Sequence, residues 1–186
     1  MTYRKKNIGF SLVEVLVTIV ILMIGLLGLA GLQGRAVTSQ LESYQRSQAL
    51  VLLKDIADRI NANRKDAANY VTASALGVGA TCQVSTNPAN IVANDKGEWC
   101  NALKGAAEGS SAGAMIGARG CVYQITAPAT GVAAKYQVVV SWQGLNSSKA
   151  PDISTATAAG NCGNNSYGSE SLHRVVALPI SIADLL

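Results

Sequence analysis

A long apolar stretch near the N-terminus is the strongest pattern in the chain. The 20 residues between Glu14 and Arg35 carry no charged side chain, and only Thr18 and Gln33 among them are polar. At a rise of about 1.5 Å per residue, an α-helix of this length spans about 30 Å, the thickness of a bilayer's hydrocarbon core. Because lipid offers no hydrogen-bond partners to the backbone, the pattern predicts a membrane-spanning helix.

The residues before this stretch predict its orientation. Arg4, Lys5 and Lys6 are basic, and basic residues favour the cytoplasmic side of a membrane. The leader is therefore expected to stay in the cytoplasm while the C-terminal part is exported. A secretory signal peptide has a shorter apolar region, which is followed by a small-residue cleavage site. Here the small residue Gly9 precedes the apolar region, so cleavage at this point would leave the helix attached.

From Arg35 onward the helix becomes amphipathic, because apolar residues recur at steps of three and four. The expected buried stripe consists of Val37, Leu41, Tyr44, Gln48, Leu52, Ile56 and Ile60. Polar residues at 61–65 weaken the pattern, so the helix is predicted to end near residue 64. Its length of about 55 residues far exceeds the globular average of about 11–12 residues. The second half of the helix is expected to cover a β-sheet.

The region between residues 66 and 119 gives weaker signals. Residues 95–104 predict a short helix with Asn94 as its N-cap. Its buried face is expected to contain Trp99, Leu103 and Ala106. Residues 105–117 are rich in Ala, Gly and Ser, which indicates a loop.

Three later segments have the alternation or the β-branched content of strands. They are residues 121–126, 135–142 and 173–182. One side of the second strand carries Tyr136, Val138, Val140 and Trp142. Pro179 indicates that the third strand lies at an edge or has a bent end, and a long loop at 144–171 precedes it. A long helix followed by three or more antiparallel strands predicts an α+β fold, with one sheet packed on the C-terminal half of the helix.

Composition and charge narrow the classes of function. Hydrophobic residues make up 49% of the 186 residues and charged residues only 14%. The formal net charge is +4, but without the first nine residues 12 basic side chains face 11 acidic ones, a net charge of +1. The remaining charges are scattered rather than clustered, which argues against direct contact with nucleic acid.

The four cysteines indicate export into an oxidising compartment. Cys82, Cys100, Cys121 and Cys162 show no C-x-x-C spacing, and His173 is the single histidine. Two disulfides fit this pattern better than zinc does. Of the three possible pairings, short loops favour Cys82–Cys100 and Cys121–Cys162, and one disulfide with two free thiols is the alternative.

The N-terminal motif resembles a known family. The string KNIG-FSLVEV at residues 6–15 is similar to the processing site of type IV prepilins and pseudopilins. The resemblance implies that a membrane peptidase cuts after Gly9 and methylates the new N-terminal Phe10. It also makes Glu14, five residues into the mature chain, the signature carboxylate of the family. The motif covers about the first 35 residues, and it implies a type IV pilin-like fold.

Two features of the helix follow from this resemblance. Glu14 of one subunit is expected to neutralise the Phe10 amine of a neighbour and set the axial register, because buried charges need partners. The alternative is a carboxylate that reaches the lipid headgroups without a specific contact. Gly25, Gly28, Gly31 and Gly34 form a row in the same helix. They supply either local helix weakness or close helix packing.

No constellation of catalytic residues is apparent, so a structural role is expected, with no cofactor and no metal. His173 stands alone in a predicted strand, Glu98 and Glu170 have no apparent carboxylate partner, and Trp99 and Trp142 are expected in the core. Asp152 and Asp184 stand too far apart in sequence to suggest a calcium site.

The resemblance implies a minor pilin of a type IV pilus that primes assembly in a tip complex. The cysteines around Glu98-Trp99 resemble the PilV type. The implied partners are other minor pilins, the major pilin, the prepilin peptidase, the inner-membrane assembly platform and a tip adhesin. The chain would reside in the inner membrane with a periplasmic head, and later in the extracellular pilus. The alternatives are a minor pseudopilin of a type II secretion system and a signal-anchored periplasmic enzyme or binding protein.

The corresponding division of the chain has four parts. Residues 1–9 form the cleaved leader, 10–34 the membrane and filament-core half of the helix, 35–64 its amphipathic half, and 65–186 the globular head.

Overall fold

The computed structural model describes residues 9–105 and 115–183. The chain divides into two compact units, Met1–Leu41 and Glu42–Leu186. The leader up to residue 8, Ala106 with most of the predicted loop at 105–117, and Asp184 lie outside the described residues. The four-part division of the chain remains a prediction.

Helix α1 comprises Leu12–Ala62, a single element of 51 residues. At its start the backbone N–H groups of Glu14 and Val15 donate to the carbonyl oxygen of Ser11, at 3.0 and 3.2 Å. The helix ends two residues before the predicted position because Asn63 has φ −112° and ψ 48°, which are not helical angles. A 3-10 helix, Arg64–Tyr70, follows directly and buries Tyr70.

The buried face of α1 differs from the predicted stripe. The buried residues are Gln45, Ala49, Leu53, Ile56, Ala57 and Ile60. The predicted stripe is correct at Ile56 and Ile60 but wrong at Val37, Leu41 and Tyr44, which are 55%, 49% and 51% exposed. From Gln45 to Leu53 the buried positions lie one residue further along than predicted, and the small residues Ala49 and Ala57 are fully or almost fully buried. A pattern that counts large apolar side chains misses small ones of this kind.

Helix α2, Ile91–Leu103, starts four residues earlier than predicted. Its N-cap is Asn90 rather than Asn94, since the Asn90 side chain accepts a hydrogen bond from the backbone N–H of Ala93 at 3.3 Å. Trp99 and Leu103 are buried as predicted, and Cys100 is buried with them. The prediction failed at the N-terminus because several asparagines precede the helix and each is a competent cap.

One antiparallel sheet of four strands packs on the second half of α1. Its order is β1 (Leu76–Gly77), β2 (Ile116–Thr126), β3 (Ala134–Gln143) and β4 (His173–Ile182). The three predicted strands are all present, and β2 and β3 extend beyond the predicted bounds. The two-residue strand β1 was not predicted, because it is too short to show alternation. Pro179 lies in β4, which is an edge strand as predicted.

Strand β3 is buried on both faces. Its residues Tyr136, Val138, Val140 and Trp142 belong to the main core with α1 and Trp99. On the opposite face, Val139 packs with Cys121 and Cys162 in a second cluster. This second cluster exists because part of the long segment before β4 folds back over the sheet. Trp99 and Trp142 are therefore core residues, as predicted.

Candidate functional site

The N-terminal part of α1 presents a continuous apolar surface to its surroundings. Phe10 is 83% exposed and Leu12 84% exposed, and large apolar side chains stay exposed as far as Leu32. Within the described residues, α1 is the helix that is long and apolar enough to cross a membrane, judged by length and composition. Exposed apolar surface on this scale indicates a lipid or protein partner.

Glu14 is the one acidic residue in the first turn of α1, and it is the one charged side chain between Gly9 and Arg35. A carboxylate is favourable near the N-terminus of a helix, where backbone N–H groups carry partial positive charge. The spacing from Ser11 to Glu14 is that of a capping box, a signal that the sequence analysis overlooked. The N-terminal end of the helix is therefore a favourable place for the Glu14 carboxylate.

The glycine row lies within the helix without breaking it. Apart from the helix's own backbone, no heavy atom lies within 4 Å of where a Cβ would stand at Gly25, Gly28, Gly31 or Gly34. Another helix can therefore approach the backbone closely at these positions.

Near the end of α1, three carboxylates from two helices surround Arg59. Its Nη1 atom donates to Asp95 at 2.8 Å and to Glu98 at 2.7 Å, and its Nε atom donates to Asp55 at 3.1 Å. Glu98 was expected to have no carboxylate near it, but it shares Arg59 with Asp55 and Asp95. This Arg59 cluster fastens α2 to the last turn of α1.

Tyr70 extends the Arg59 cluster, since its hydroxyl donates to the second oxygen of Asp95. Burial and this hydrogen bond raise the pKa of Tyr70 to about 12. Burial opposes the charge on Arg59, but the hydrogen bonds to Glu98, Asp95 and Asp55 outweigh it and hold the pKa of Arg59 above its usual value. Both groups therefore keep their protons at physiological pH.

His173, the single histidine of the chain, has hydrogen-bond partners on both ring nitrogens. Its Nδ1 atom lies 2.7 Å from a Glu170 carboxylate oxygen, and its Nε2 atom lies 3.0 Å from the Cys162 carbonyl oxygen. The side chain is fully buried. This contact set joins the start of β4 to the segment before it, and it leaves no ring nitrogen free for catalysis.

Glu42 of α1 forms hydrogen bonds with the loop after β3. The Glu42 carboxylate accepts hydrogen bonds from the backbone N–H groups of Leu145 and Asn146, at 3.2 and 3.0 Å. Arg174 lies 3.6 Å from the same carboxylate oxygen. Glu42 thus connects α1 to both ends of the segment between β3 and β4.

The structure joins the four cysteines in two disulfides. Cys82 is bonded to Cys100, with 5.3 Å between the Cα atoms, and Cys121 to Cys162, with 5.8 Å. The first bond holds the loop before α2 against that helix. The second holds the long segment before β4 against β2. Among the residues that the structure describes, no group of three or more His, Cys, Asp or Glu side chains is arranged to hold a metal ion.

Two sequence families match the chain in adjacent segments. Residues 4–30 match the prokaryotic N-terminal methylation motif. Residues 31–107 match the family described as Tt1218-like, type IV pilin Tt1218. No curated protein and no solved structure matches the chain.

Proposed function

We propose that this type IV pilin-like protein, which carries the prokaryotic N-terminal methylation motif, is a minor pilin that primes assembly of a type IV pilus from a tip complex. The observation that carries the proposal is the exposed apolar surface of α1 behind Gly9 and Phe10, with Glu14 as its one charge before Arg35. Proteins of this family are generally structural rather than enzymatic.

The motif implies processing by a prepilin peptidase. We expect cleavage after Gly9 and methylation of the new amine on Phe10. The exposed position of Phe10 suits access by a membrane enzyme. The processed chain would stay in the inner membrane through α1, with its head in the periplasm, until it enters the pilus.

Glu14 is the residue proposed to set the position of a subunit in the filament. Once helices pack against each other, a carboxylate and an amine in an apolar medium each lose water and must be paired. The Phe10 amine of a neighbouring subunit supplies the opposite charge. A pair of this kind favours one axial register over others, since a shifted helix would leave both charges unpaired.

The minor rather than the major role is supported by the head. It carries four cysteines in two disulfides, whereas the heads of major pilins of this type are usually simpler. The disulfide to Cys100 beside Glu98-Trp99 resembles the PilV type of minor pilin. The proposed partners are other minor pilins, the major pilin, the inner-membrane assembly platform and a tip adhesin.

The first test is the mass of the protein recovered from sheared surface filaments under non-reducing conditions. The proposal expects a chain that starts at methylated Phe10 and lacks four cysteine hydrogens. It also expects a low copy number relative to the major pilin. A chain that is absent from filaments and retains residues 1–9 would overturn the proposal. Recovery with a secretion apparatus instead would indicate a minor pseudopilin.

The second test concerns Glu14. The Glu14→Gln variant should be cleaved normally but should enter filaments at about one tenth of the wild-type level or less, because an unpaired buried amine costs several kcal/mol. Asp58→Asn is the matched control, since Asp58 is on the same helix and its side chain is 61% exposed. Equal incorporation of the two variants would contradict the register role.

A further inference from the structure

A small cavity opens where the sheet meets the 3-10 helix that follows α1. It has a volume of about 300 Å³, at the lower end of the range for ligand pockets. Its apolar wall includes Ala134 at the start of β3, and Ile182 and Ala183 at the end of β4. Arg64 and Lys65 line it from the 3-10 helix.

The polar side chains that line the cavity are the two cations Arg64 and Lys65 and the hydroxyl of Tyr136. Neither Arg64 nor Lys65 forms an ion pair with any residue in 9–105 or 115–183. No acidic side chain of these described ranges lines the cavity. This differs from the Arg59 cluster nearby in the chain, where three carboxylates surround one guanidinium. The cavity therefore has an excess of positive charge.

Tyr136 provides the second observation. This side chain is 2% exposed, and it lines the cavity from β3. Within the described part of the chain the hydroxyls of Tyr44, Tyr70 and Tyr167 form hydrogen bonds, whereas that of Tyr136 does not. A nearly buried hydroxyl without a partner is unfavourable, so the cavity should supply an acceptor.

We propose that this cavity, defined by Arg64, Lys65, Tyr136, Ala134 and Ile182, binds a carboxylate carried on a short aliphatic group. The carboxylate accepts hydrogen bonds from the tyrosine hydroxyl and pairs with the two cations. The aliphatic part contacts the wall made by β3 and β4. Two sources have this chemistry. One is Asp184 of the same chain, which follows directly after Ala183 and precedes two leucines, and the other is an acidic apolar segment of a second protein.

The test uses the full chain in detergent micelles, labelled with 3-fluorotyrosine and observed by ¹⁹F NMR. The Tyr136 resonance is assigned by its loss in Tyr136→Phe. The probe is 4-methylpentanoate, and its uncharged counterpart is 4-methylpentanamide. We expect a saturable shift of the Tyr136 resonance with the acid, and binding of the amide that is weaker by about tenfold or more, since a charged partner is lost.

Variants show whether the acid binds in the cavity or is attracted to the positive charge of the protein in general. The double variant Arg64→Gln/Lys65→Gln should weaken binding of the acid about tenfold. The control is Lys135→Gln, which removes an exposed charge from β3 that does not line the cavity. Equal effects of the two changes, or equal binding of acid and amide, would overturn the proposal.

The source of the natural carboxylate is resolved by Asp184→Asn. If the wild type binds the probe weakly and this variant binds it tightly, the chain's own Asp184 occupies the cavity. If both bind it equally well, the cavity is open to a second protein. If neither binds it, the cavity is not a carboxylate site.

Discussion

Gly120 in β2 is a position where one added methyl group should be costly. A Cβ built there lies 2.3 Å from Cη2 of Trp99 and 2.7 Å from Cδ1 of Leu103. Trp99 cannot move away easily, because it is fully buried and its indole N–H donates to the Leu52 carbonyl oxygen at 2.9 Å. The backbone of Gly120 does not have positive φ, so conformational strain does not contribute. The variant Gly120→Ala therefore tests packing alone.

The magnitude follows from two opposing effects. Overpacking a close-packed core costs about 1–3 kcal/mol. Replacing Gly by Ala also lowers the conformational entropy of the unfolded chain, which stabilises the folded state by about 0.4–1 kcal/mol. The expected net loss of unfolding free energy is about 1–2 kcal/mol. For a domain of about 150–250 residues this corresponds to a fall in melting temperature of about 2–8 °C.

The assay is a double-mutant cycle with Trp99→Phe, measured by far-UV circular dichroism during thermal unfolding in detergent. Trp99→Phe alone loses a hydrogen bond worth about 1 kcal/mol and some packing. It also vacates the space that the methyl group added by Gly120→Ala needs. The double variant should therefore lose less stability than the sum of the single variants, by about 0.5–3 kcal/mol.

Gly144→Ala is the matched control for Gly120→Ala. A Cβ there lies 2.8 Å from Cζ of Arg174, which is the end of a flexible side chain. Its cost should be well below that of Gly120→Ala. Additivity of Gly120→Ala and Trp99→Phe within about 0.5 kcal/mol would refute the argument that the indole sets the limit.

Three further predictions concern the head. Arg59→Gln should lower the free energy of unfolding, measured by urea denaturation, by about 1–2 kcal/mol because it leaves carboxylates unpaired. The control is Lys54→Gln, which should change this free energy by less than about 0.5 kcal/mol, because the side chains of the Lys54–Asp58 ion pair are 74% and 61% exposed. Because the folded pKa of Tyr70 is about 12, against about 10 when unfolded, its contribution should be complete below about pH 10 and lost as the pH rises to about 12. The ultraviolet absorbance difference from Tyr70→Phe measures this titration, and a midpoint near pH 10 would refute it. Replacing Cys121 and Cys162 by Ser should cost about 3–4 kcal/mol by denaturant unfolding, given their separation of 41 residues, and an unchanged midpoint would contradict this.

The elements with regular local patterns were predictable. The bounds of β4 agree with the sequence because its apolar run starts at His173 and ends at Ile182. Helix α1 was predicted to within two residues of its C-terminus for the same reason. Its buried face was correct at Ile56 and Ile60 but was placed one position away nearer the middle of the helix, because Ala49 carries too little apolar surface to mark a face.

The contacts between distant elements were not predictable in this way. Arg59 and Glu98 are 39 residues apart, and their pairing depends on how α2 packs against α1. Glu42 lies 103 residues before Leu145, from whose backbone N–H it accepts a hydrogen bond. Every residue except proline has a backbone N–H, so the sequence does not indicate which residue donates such a hydrogen bond. The N-terminal motif was readable because its residues are neighbours in the sequence, so no tertiary contact is needed to bring them together.

The edge position of Pro179 has a consequence for how the protein coexists with copies of itself. Strand β4 presents ten residues at one border of the sheet, and a border of that length is a template for adding a foreign strand. Proline supplies no N–H, so a continuous ladder along this border is interrupted. At the opposite border, β1 pairs with Arg119 and Gly120 of β2, and the backbone N–H groups of Thr72 and Val78 donate to β2 on either side of them. When two such sheets meet, pairing along β4 is therefore disfavoured.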